Sequence, residues 1–265
     1  MKVSIVIPVY YNEKNLRPLY QDIKEKFIDK IDYEYEIVMV NDGSGDNSWQ
    51  VMQELRDMDS NIHLISLSRN FGSHAAILCG LSHCTGDLAA VKAADLQEPT
   101  ELILQMVERW KEGNRVVLAV RKPRNEPLKQ TFFPGLYYKI VRKCALTNMP
   151  QGGFDVYLLD RKVITVLTNL DERNSALTGQ ILWSGFKTDI VYYTRLAREV
   201  GTSKWTLRKK IRLVMDTLFS FSSLPITIVL GVGVFSMAIA IIWAMIVLIA
   251  KITGYINVSG WTTLF

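Results

Sequence analysis

The chain has 265 residues, 49% of them hydrophobic and 22% charged, a composition that suits one globular domain of ordinary size plus a further segment. Its net charge of +5 comes largely from basic residues at 195–212, and this placement favours attraction to anionic lipid over binding of nucleic acid. The three cysteines and three histidines are too scattered for a zinc site or another metal cluster, so free thiols in a reducing compartment are expected.

The first 120 residues alternate apolar runs with segments whose apolar residues repeat at helical spacing. The runs predict five strands: KVSIVIP, YEIVMVND, IHLISLS, DLAAVKAAD and RVVLAV. The intervening segments predict four helices: NLRPLYQDIKEKFI, NSWQVMQELRDM, HAAILCGLSHC and PTELILQMVERWKEG. Near-continuous apolar strands separated by helices indicate an α/β fold, with a mostly parallel sheet covered by helices on both faces. The first apolar run is too short for a signal peptide and has strand character.

A polar or basic segment follows each of the five predicted strands. In a parallel α/β sheet, ligands bind at the carboxyl ends of the strands, so these segments are expected to meet at one rim of the sheet. No G-x-G-x-x-G sequence and no Walker loop is present, which disfavours an ordinary dinucleotide or P-loop site. The segments are Pro8 to Glu13, Asn41 to Ser44, Ser68 to Gly72, Asp95 to Gln97, and Arg121 to Arg124.

Residues 125–205 are less regular. The segment FFPGLYYKIVRKCAL predicts a helix with an aromatic face, FDVYLLDRKVITVLTNL predicts a strand that runs into a helix, and FKTDIVYYT predicts a final strand. Residues 204–224 combine apolar side chains with a cluster of lysine and arginine, which favours a basic amphipathic juxtamembrane helix on a membrane surface. Packing of this helix on the preceding domain, residues 1–203, is the alternative.

The last part of the chain is apolar. No charged residue occurs from Thr217 to Ala250, and residues 225–251 are long enough for a transmembrane helix, which needs about 20 apolar residues. A buried core helix is the alternative. Because the basic residues precede this segment, the positive-inside rule predicts a cytoplasmic N-terminal domain anchored in a bacterial inner membrane. Residues 252–265 are expected to begin a loop towards a second membrane segment, so the native chain is expected to continue past Phe265.

Six segments, in order along nearly the whole chain, resemble the family 2 glycosyltransferases: IVIPVYYNE, VNDGSGD, LSRNFGSHAAILCGL, ADLQEP, FDVYLLDR and REVGTSKW. Within that family they are most similar to the polyprenyl-phosphate glycosyltransferases, such as dolichol-phosphate mannose synthase and the bactoprenol glucosyltransferases. The resemblance implies a GT-A fold and inverting transfer of a sugar from a UDP- or GDP-linked donor to a membrane-embedded polyprenyl phosphate. It also implies Mg²⁺ or Mn²⁺ as cofactor. A processive polymer synthase is disfavoured, because no Gln-x-x-Arg-Trp sequence is present.

The resemblance also assigns residues to sites. Asp95 and Gln97 correspond to metal ligands, while Ala93 stands where the family has the first carboxylate of Asp-x-Asp-x-Gln. The family's Val-Tyr-Asn-Glu is one residue longer here, VYYNE, so either tyrosine can stack on the base. Tyr157 stands where the family usually has Arg. The residues expected at the nucleotide-sugar site are Pro8, Tyr10, Tyr11, Glu13, Asp42, Ala94, Asp95, Arg198 and Lys204.

The chemistry explains how one carboxylate can suffice. Negative charge grows on the leaving diphosphate as the sugar departs, and a divalent ion is the usual counter-charge. Mg²⁺ is commonly bound through one or two carboxylates plus substrate phosphates, so Asp95 is enough if the donor completes the site. The alternative is that Asp95 merely caps the helix that starts near Pro99.

The acceptor phosphate is mostly dianionic at neutral pH and therefore needs cations to orient it, and no general base. Arg121 and Arg124 are the candidates, because the guanidinium fork suits phosphate. Arg198 and Lys204 are candidates for the diphosphate or the lipid phosphate, and Asp155 is expected to position the sugar or a catalytic loop.

Two other functions are compatible with the sequence. One is transfer to another lipid acceptor, such as a diacylglycerol. The other is a non-catalytic, nucleotide-binding membrane subunit, which the alanine at position 93 makes conceivable. Oligomeric state is open, although membrane enzymes with few spans often associate through them as homo-oligomers.

Overall fold

The computed structural model describes residues 1–122, 141–143, 145–170, 176–196 and 215–255. The chain divides into two compact units, Met1–Phe221 and Ser222–Phe265. The boundary falls inside the predicted juxtamembrane segment 204–224, so the helical residues 215–221 belong to the first unit. There the ring of Phe221 lies against Gly179, where any larger side chain would collide with it. The described end of the predicted juxtamembrane helix therefore packs on the first unit.

The first unit contains one seven-stranded sheet with the order β3-β2-β1-β4-β6-β5-β7. Its strands are parallel except for β6, which runs antiparallel to both of its neighbours, β4 and β5. This architecture confirms the predicted α/β fold with a mostly parallel sheet. The strands are β1 (Lys2–Val9), β2 (Glu34–Asn41), β3 (Ile62–Ser66), β4 (Leu88–Val91), β5 (Val116–Arg121), β6 (Val156–Asp160) and β7 (Thr188–Tyr193).

Helices cover both faces of this sheet, as the near-continuous apolar strands require. One face is buried by apolar residues of α1, α2 and α4, and the other by those of α3, α5 and α6. The helices of this unit with assigned bounds are α1 (Glu13–Lys26), α2 (Ser48–Met58), α3 (Ser73–His83), α4 (Glu101–Lys111), α5 (Arg161–Asn169) and α6 (Leu177–Trp183).

The antiparallel direction of β6 matters for the candidate site. The parallel strands deliver their carboxyl ends to one rim of the sheet, whereas β6 delivers its amino end to that rim. Asp155 immediately precedes β6, and Tyr157 of β6 pairs with Val91 of β4. Asp155 therefore reaches the same rim as Asp95, although 60 residues of chain separate them.

A buried carboxylate lies towards the opposite rim of the sheet, near the amino ends of β1 and β2. Glu36, on β2, accepts hydrogen bonds from Ser4 Oγ at 2.6 Å, Thr85 N at 2.5 Å and Thr85 Oγ1 at 2.7 Å. It also pairs with Lys2 Nζ at 2.7 Å. Burial alone would raise the pKa of Glu36, but these donors outweigh it and lower the pKa to about 2. The ionised side chain thus ties β1 and β2 to the loop that enters β4.

We expect Glu36→Gln to lower the free energy of unfolding by about 2 kcal/mol at neutral pH, because the amide loses the charge-assisted bonds. The folded-state pKa lies below the ordinary value of 4.5, so this contribution is present above that pH and is lost as pH falls towards 2. Thermal unfolding of the detergent-solubilised protein across this range measures it. The matched control is Glu54→Gln, which removes an exposed ion pair with Arg17 and should have little effect. Equal midpoints for Glu36→Gln and the unsubstituted protein would contradict the assignment.

The second unit contains a single long helix among its described residues, α7 (Leu224–Ile252). It has 29 residues and a mean hydropathy of 2.7, and none of its residues is buried. A helix of this length extends about 43 Å, which exceeds the roughly 30 Å hydrocarbon thickness of a bilayer. By length and composition α7 can cross a membrane, in agreement with the predicted span 225–251.

Candidate active site

The two adjacent tyrosines lie at the end of β1. Tyr11 has a φ of 56°, in the left-handed region that residues with a side chain rarely adopt. Its N–H donates to Ser44 Oγ at 3.1 Å, and its ring meets the ring of Tyr10 edge-on, with 4.7 Å between centroids. The Tyr11 hydroxyl lies over the backbone of Gly45. A Cβ at position 45 would be 2.7 Å from the hydroxyl oxygen. Tyr11 is 47% exposed, so its ring is the more accessible of the two at this rim.

Glu13 joins the loop after β1 to the loop after β2. Its carboxylate accepts hydrogen bonds from Asn47 Nδ2 at 3.2 Å and Asn47 N at 3.4 Å. Its own N–H donates to Asp46 Oδ2 at 3.4 Å. Of the other predicted nucleotide-sugar residues, Pro8 is a half-buried residue of β1 and Ala94 is buried beneath the rim.

Asp42 lies at the end of β2 and is 2% exposed. Its carboxylate accepts hydrogen bonds from Phe71 N at 2.7 Å, Asn70 Nδ2 at 2.8 Å and Gly72 N at 3.0 Å. Gly43 permits this close approach, because its φ is 67° and a Cβ there would lie 2.6 Å from the backbone of the same loop. In the structure, Asp42 therefore anchors the loop between β3 and α3; a contact with the nucleotide stays a prediction.

Asp95 belongs to the loop that follows β4. Its Oδ1 accepts a hydrogen bond from Gln97 N at 3.3 Å, and the residue between them, Leu96, has a φ of 58°. Helix α4 begins later, at Glu101, after Thr100, which makes no side-chain capping bond. Asp95 thus organises its own loop and does not cap α4, in contrast to the alternative considered from the sequence.

Arg195 lies two residues after the end of β7, and its side chain extends into this loop. Its Nη2 donates a hydrogen bond to Gln97 Oε1, and it lies 3.8 Å from Asp95 Oδ2 and 3.9 Å from Glu98 Oε1. The backbone supports the contact, since Leu196 N donates to Gln97 O at 2.9 Å. A guanidinium group therefore lies among the oxygens of the predicted metal motif. The sequence places Arg195 in the basic cluster 195–212, and its position at the end of a predicted strand is the signal for a place at the rim.

Two buried ionisable groups support the loop from beneath. Lys92 is 1% exposed and donates from Nζ to the backbone oxygen of Glu98 at 2.6 Å. Burial lowers the pKa of Lys92, against the opposing charges of Glu98, Asp22 and Asp95. Burial and the charge of Asp95 raise the pKa of Glu98, the charges of Lys92 and Arg195 lower it, and the net result is a pKa of about 7. The pKa values of Lys92 and Glu98 therefore depend on each other and on the charge of Asp95.

Arg121 and Asp155 form an ion pair beside this loop. Arg121 Nε also donates to the hydroxyl of Tyr193 at 3.4 Å. Burial alone would lower the pKa of Arg121, but the charge of Asp155 and the bond with Tyr193 raise it above its ordinary value. Both members are partly open to solvent, with side chains 37% and 60% exposed. The structure therefore brings together two of the residues predicted to be catalytic, as a cation and its counter-ion.

The donor atoms of the 95–98 loop fit a divalent cation. Carboxylate and carboxamide oxygens are the hard ligands that Mg²⁺ and Mn²⁺ prefer, and Asp95 and Gln97 present them around one cationic atom. Within the described parts of the chain, no group of three or more His, Cys, Asp or Glu side chains could hold a metal alone. This donor set suits an ion whose coordination is completed by substrate oxygens and water.

The remaining predicted site residues, Arg124, Arg198 and Lys204, lie outside the described residues.

Comparison with known proteins identifies the family of this chain. The family described as Glycosyl transferase family 2 matches residues 4–169. An uncharacterized glycosyltransferase of Bacillus subtilis, YkcC, is 36% identical over 100% of this chain and 82% of its own. The bactoprenol glucosyl transferase of Shigella phage SfX is 32% identical over 100% of this chain and 87% of its own.

Solved structures agree with the fold. The mannosyltransferase PcManGT from Pyrobaculum calidifontis, in complex with GDP-Man and Mn²⁺, superposes with a TM-score of 0.55 at 17% identity, over 79% of this chain and 60% of its own. Glucosyl-3-phosphoglycerate synthase from Mycobacterium tuberculosis, with Mn²⁺, UDP and its product, gives 0.54 at 18% identity, over 83% of this chain and 79% of its own. The predicted GT-A fold is confirmed. This chain belongs to glycosyl transferase family 2 and is a glycosyltransferase.

Proposed function

We propose that this enzyme transfers a sugar, with inversion, from a UDP- or GDP-linked donor to a polyprenyl phosphate at the cytoplasmic face of a membrane. The observation that carries the proposal is that the oxygens of Asp95 and Gln97 lie around the guanidinium of Arg195, while Arg121 ends the parallel strand β5 at the same rim. Full-length similarity to bactoprenol glucosyl transferases at 32% identity supports the lipid acceptor.

On the donor side, the tyrosine pair offers an exposed aromatic surface on which a nucleotide base can stack. Asp95 and Gln97 would hold Mg²⁺ or Mn²⁺, and this ion would neutralise the charge that develops on the leaving diphosphate. Arg195 supplies a further positive charge in the same loop. In this proposal Asp42 acts by fixing the loop between β3 and α3, through the three hydrogen bonds described above.

On the acceptor side, the reacting oxygen belongs to a phosphate that is already ionised, so orientation is the main requirement. We assign this role to Arg121, and the assignment is supported by a guanidinium that contacts Asp155 and Tyr193 while 37% of the side chain stays exposed. A phosphate that approaches Arg121 competes with Asp155 for the same donors. Arg124, Arg198 and Lys204 are proposed to add positive charge around this position.

Two features of the chain support the proposed membrane location. Helix α7 is long and apolar enough to span a bilayer, and the cluster of lysine and arginine residues precedes it. The positive-inside rule then favours a cytoplasmic active site and an inner-membrane anchor. A polyprenyl chain would stay in the bilayer, so only its phosphate has to reach the rim of the sheet.

The test uses membranes that contain the full chain, supplied with radiolabelled UDP-sugars or GDP-sugars and then extracted for lipid. We expect a labelled lipid whose sugar is released by mild acid, as a sugar joined through a phosphate is, and whose formation requires Mg²⁺ or Mn²⁺. A labelled lipid that resists mild acid would favour another acceptor, such as a diacylglycerol. No labelled lipid, together with nucleotide binding that is independent of metal, would favour a non-catalytic subunit.

A further inference from the structure

The predicted metal motif lacks one of its carboxylates, because Ala93 occupies the first aspartate position of the family's Asp-x-Asp-x-Gln motif. Loss of this group removes one negative charge and one oxygen ligand from the site. Either the site functions with a single carboxylate, or another residue of the chain supplies the second. The described residues around the loop contain one acidic side chain that is not yet accounted for.

That side chain is Glu98. It is 3% exposed, and its Oε2 is buried without a hydrogen-bond partner among the described residues. A buried carboxylate oxygen without a donor is costly, by roughly 1–3 kcal/mol or more, so folding stability alone gives no reason for it. Binding of an ion is one of the physical explanations for such an orphan oxygen, besides strain and ordered water.

The other oxygen of Glu98 shows where the carboxylate is aimed. Glu98 Oε1 lies 3.9 Å from Arg195 Nη2, the same atom that Asp95 Oδ2 approaches to 3.8 Å and that donates to Gln97 Oε1. Three oxygen-bearing side chains therefore surround one cationic nitrogen. Two of them are the residues already assigned to the metal, and Glu98 is the third.

The geometry points to Glu98 as a metal ligand, which supplies the carboxylate that Ala93 does not. This inference deepens the proposed function, on which it rests. In the structure, the guanidinium of Arg195 lies among the oxygens of Asp95, Gln97 and Glu98. These three side chains would hold a divalent ion, which would supply positive charge for the donor diphosphate. The usual pair of carboxylates is then preserved in number, with its second member moved from position 93 to position 98.

The buried amine of Lys92 fits this assignment. It binds the backbone oxygen of Glu98, not the side chain, and so fixes the turn while leaving the carboxylate free to face the site. A purely structural role for Glu98, as the counter-ion of Lys92 and Arg195, predicts the same burial but a different response to substitution. The two roles are separated by moving the carboxylate back to position 93.

The experiment titrates Mn²⁺ into the detergent-solubilised full chain and follows bound Mn²⁺ by electron paramagnetic resonance. It is done with the metal alone, with UDP and with GDP, and each is corrected by a titration without protein. We expect Glu98→Gln to weaken Mn²⁺ binding in the presence of the nucleotide at least about tenfold. The double variant Ala93→Asp/Glu98→Gln should regain most of this affinity. Glu101→Gln, an exposed glutamate of the same segment, is the matched control and should bind Mn²⁺ as the unsubstituted enzyme does.

Each outcome is decisive. Unchanged Mn²⁺ affinity in Glu98→Gln, with the unsubstituted enzyme binding normally, overturns the assignment of Glu98 and leaves the proposed function intact. Weakened binding that Ala93→Asp does not restore overturns the inference, and a shift in thermal unfolding would then assign Glu98 a structural role. No Mn²⁺ binding by the unsubstituted enzyme overturns the metal site itself, and with it both proposals.

Discussion

Asp95→Asn is expected to reduce turnover at least about a thousandfold while leaving the fold intact. The asparagine keeps the shape of the side chain and one oxygen, but it removes the charge that holds a divalent ion against the leaving diphosphate. Such an ion contributes several kcal/mol to transition-state stabilisation, and each 1.36 kcal/mol corresponds to a factor of ten. The measurement is kcat for sugar transfer at saturating donor and lipid, with Mn²⁺ varied over a wide range.

The control for this prediction is Asp87→Asn. Asp87 is also an aspartate in a loop next to β4, but it lies at the other end of that strand, where its side chain is 62% exposed and accepts a hydrogen bond from Lys2 N. We expect its activity to remain within about twofold of the unsubstituted enzyme. Full activity in Asp95→Asn would show that Asp95 does not bind the metal. Arg195 would then be the candidate for the positive charge that faces the leaving diphosphate.

Arg121→Ala is expected to reduce kcat/KM for the lipid acceptor about a hundredfold and to change the KM of the donor much less. A pair of charge-assisted hydrogen bonds to phosphate is worth about 3 kcal/mol, which corresponds to this factor. Arg121→Lys should recover part of the loss, because lysine keeps the charge but lacks the planar fork. Steady-state kinetics with each substrate varied in turn separates the two effects.

The ion pair with Asp155 sharpens this second test. Removing Arg121 leaves Asp155 as an uncompensated negative charge near the incoming phosphate, so Arg121→Ala combines a lost attraction with a new repulsion. Adding Asp155→Asn to Arg121→Ala should therefore restore some acceptor binding. The control is Arg109→Ala, on the exposed side of α4, where the pairs with Glu112 and Asp189 are worth little. A larger rise in the donor KM than in the acceptor KM would place Arg121 on the donor side.

Much of the fold could be predicted because the signals are local. Each strand of the first 120 residues is a short apolar run, and each helix between them carries its own periodicity, so α/β alternation follows from neighbouring residues. The direction of β6 is different. FDVYLLDR predicts a strand, but whether that strand runs parallel or antiparallel depends on which neighbours it joins, and this is decided by pairings across the whole domain.

The residues of the candidate site likewise fall into those with a local sequence signal and those that only the folded structure brings together. Asp95 and Gln97 could be assigned from one short motif, whereas the roles of Arg195 and Glu98 appear only when β7 and the loop after β4 are placed side by side. The extra tyrosine is an intermediate case. The sequence VYYNE shows the additional tyrosine. The left-handed backbone of Tyr11, however, depends on contacts with Ser44 and Gly45, which belong to another loop.

The place of β6 in the sheet has a consequence for how the protein is made. Strands β1 to β4 pair with one another, so this half of the sheet can assemble as soon as the first 91 residues have left the ribosome. Strand β5 comes next in the chain, but its two neighbours are β6 and β7, and both are synthesised later. Until then β4 presents a bare hydrogen-bonding edge, the kind of surface on which nascent chains aggregate. Arg195 and Leu196, which contact the loop after β4, follow β7 in the chain, so this part of the candidate site is synthesised after all seven strands.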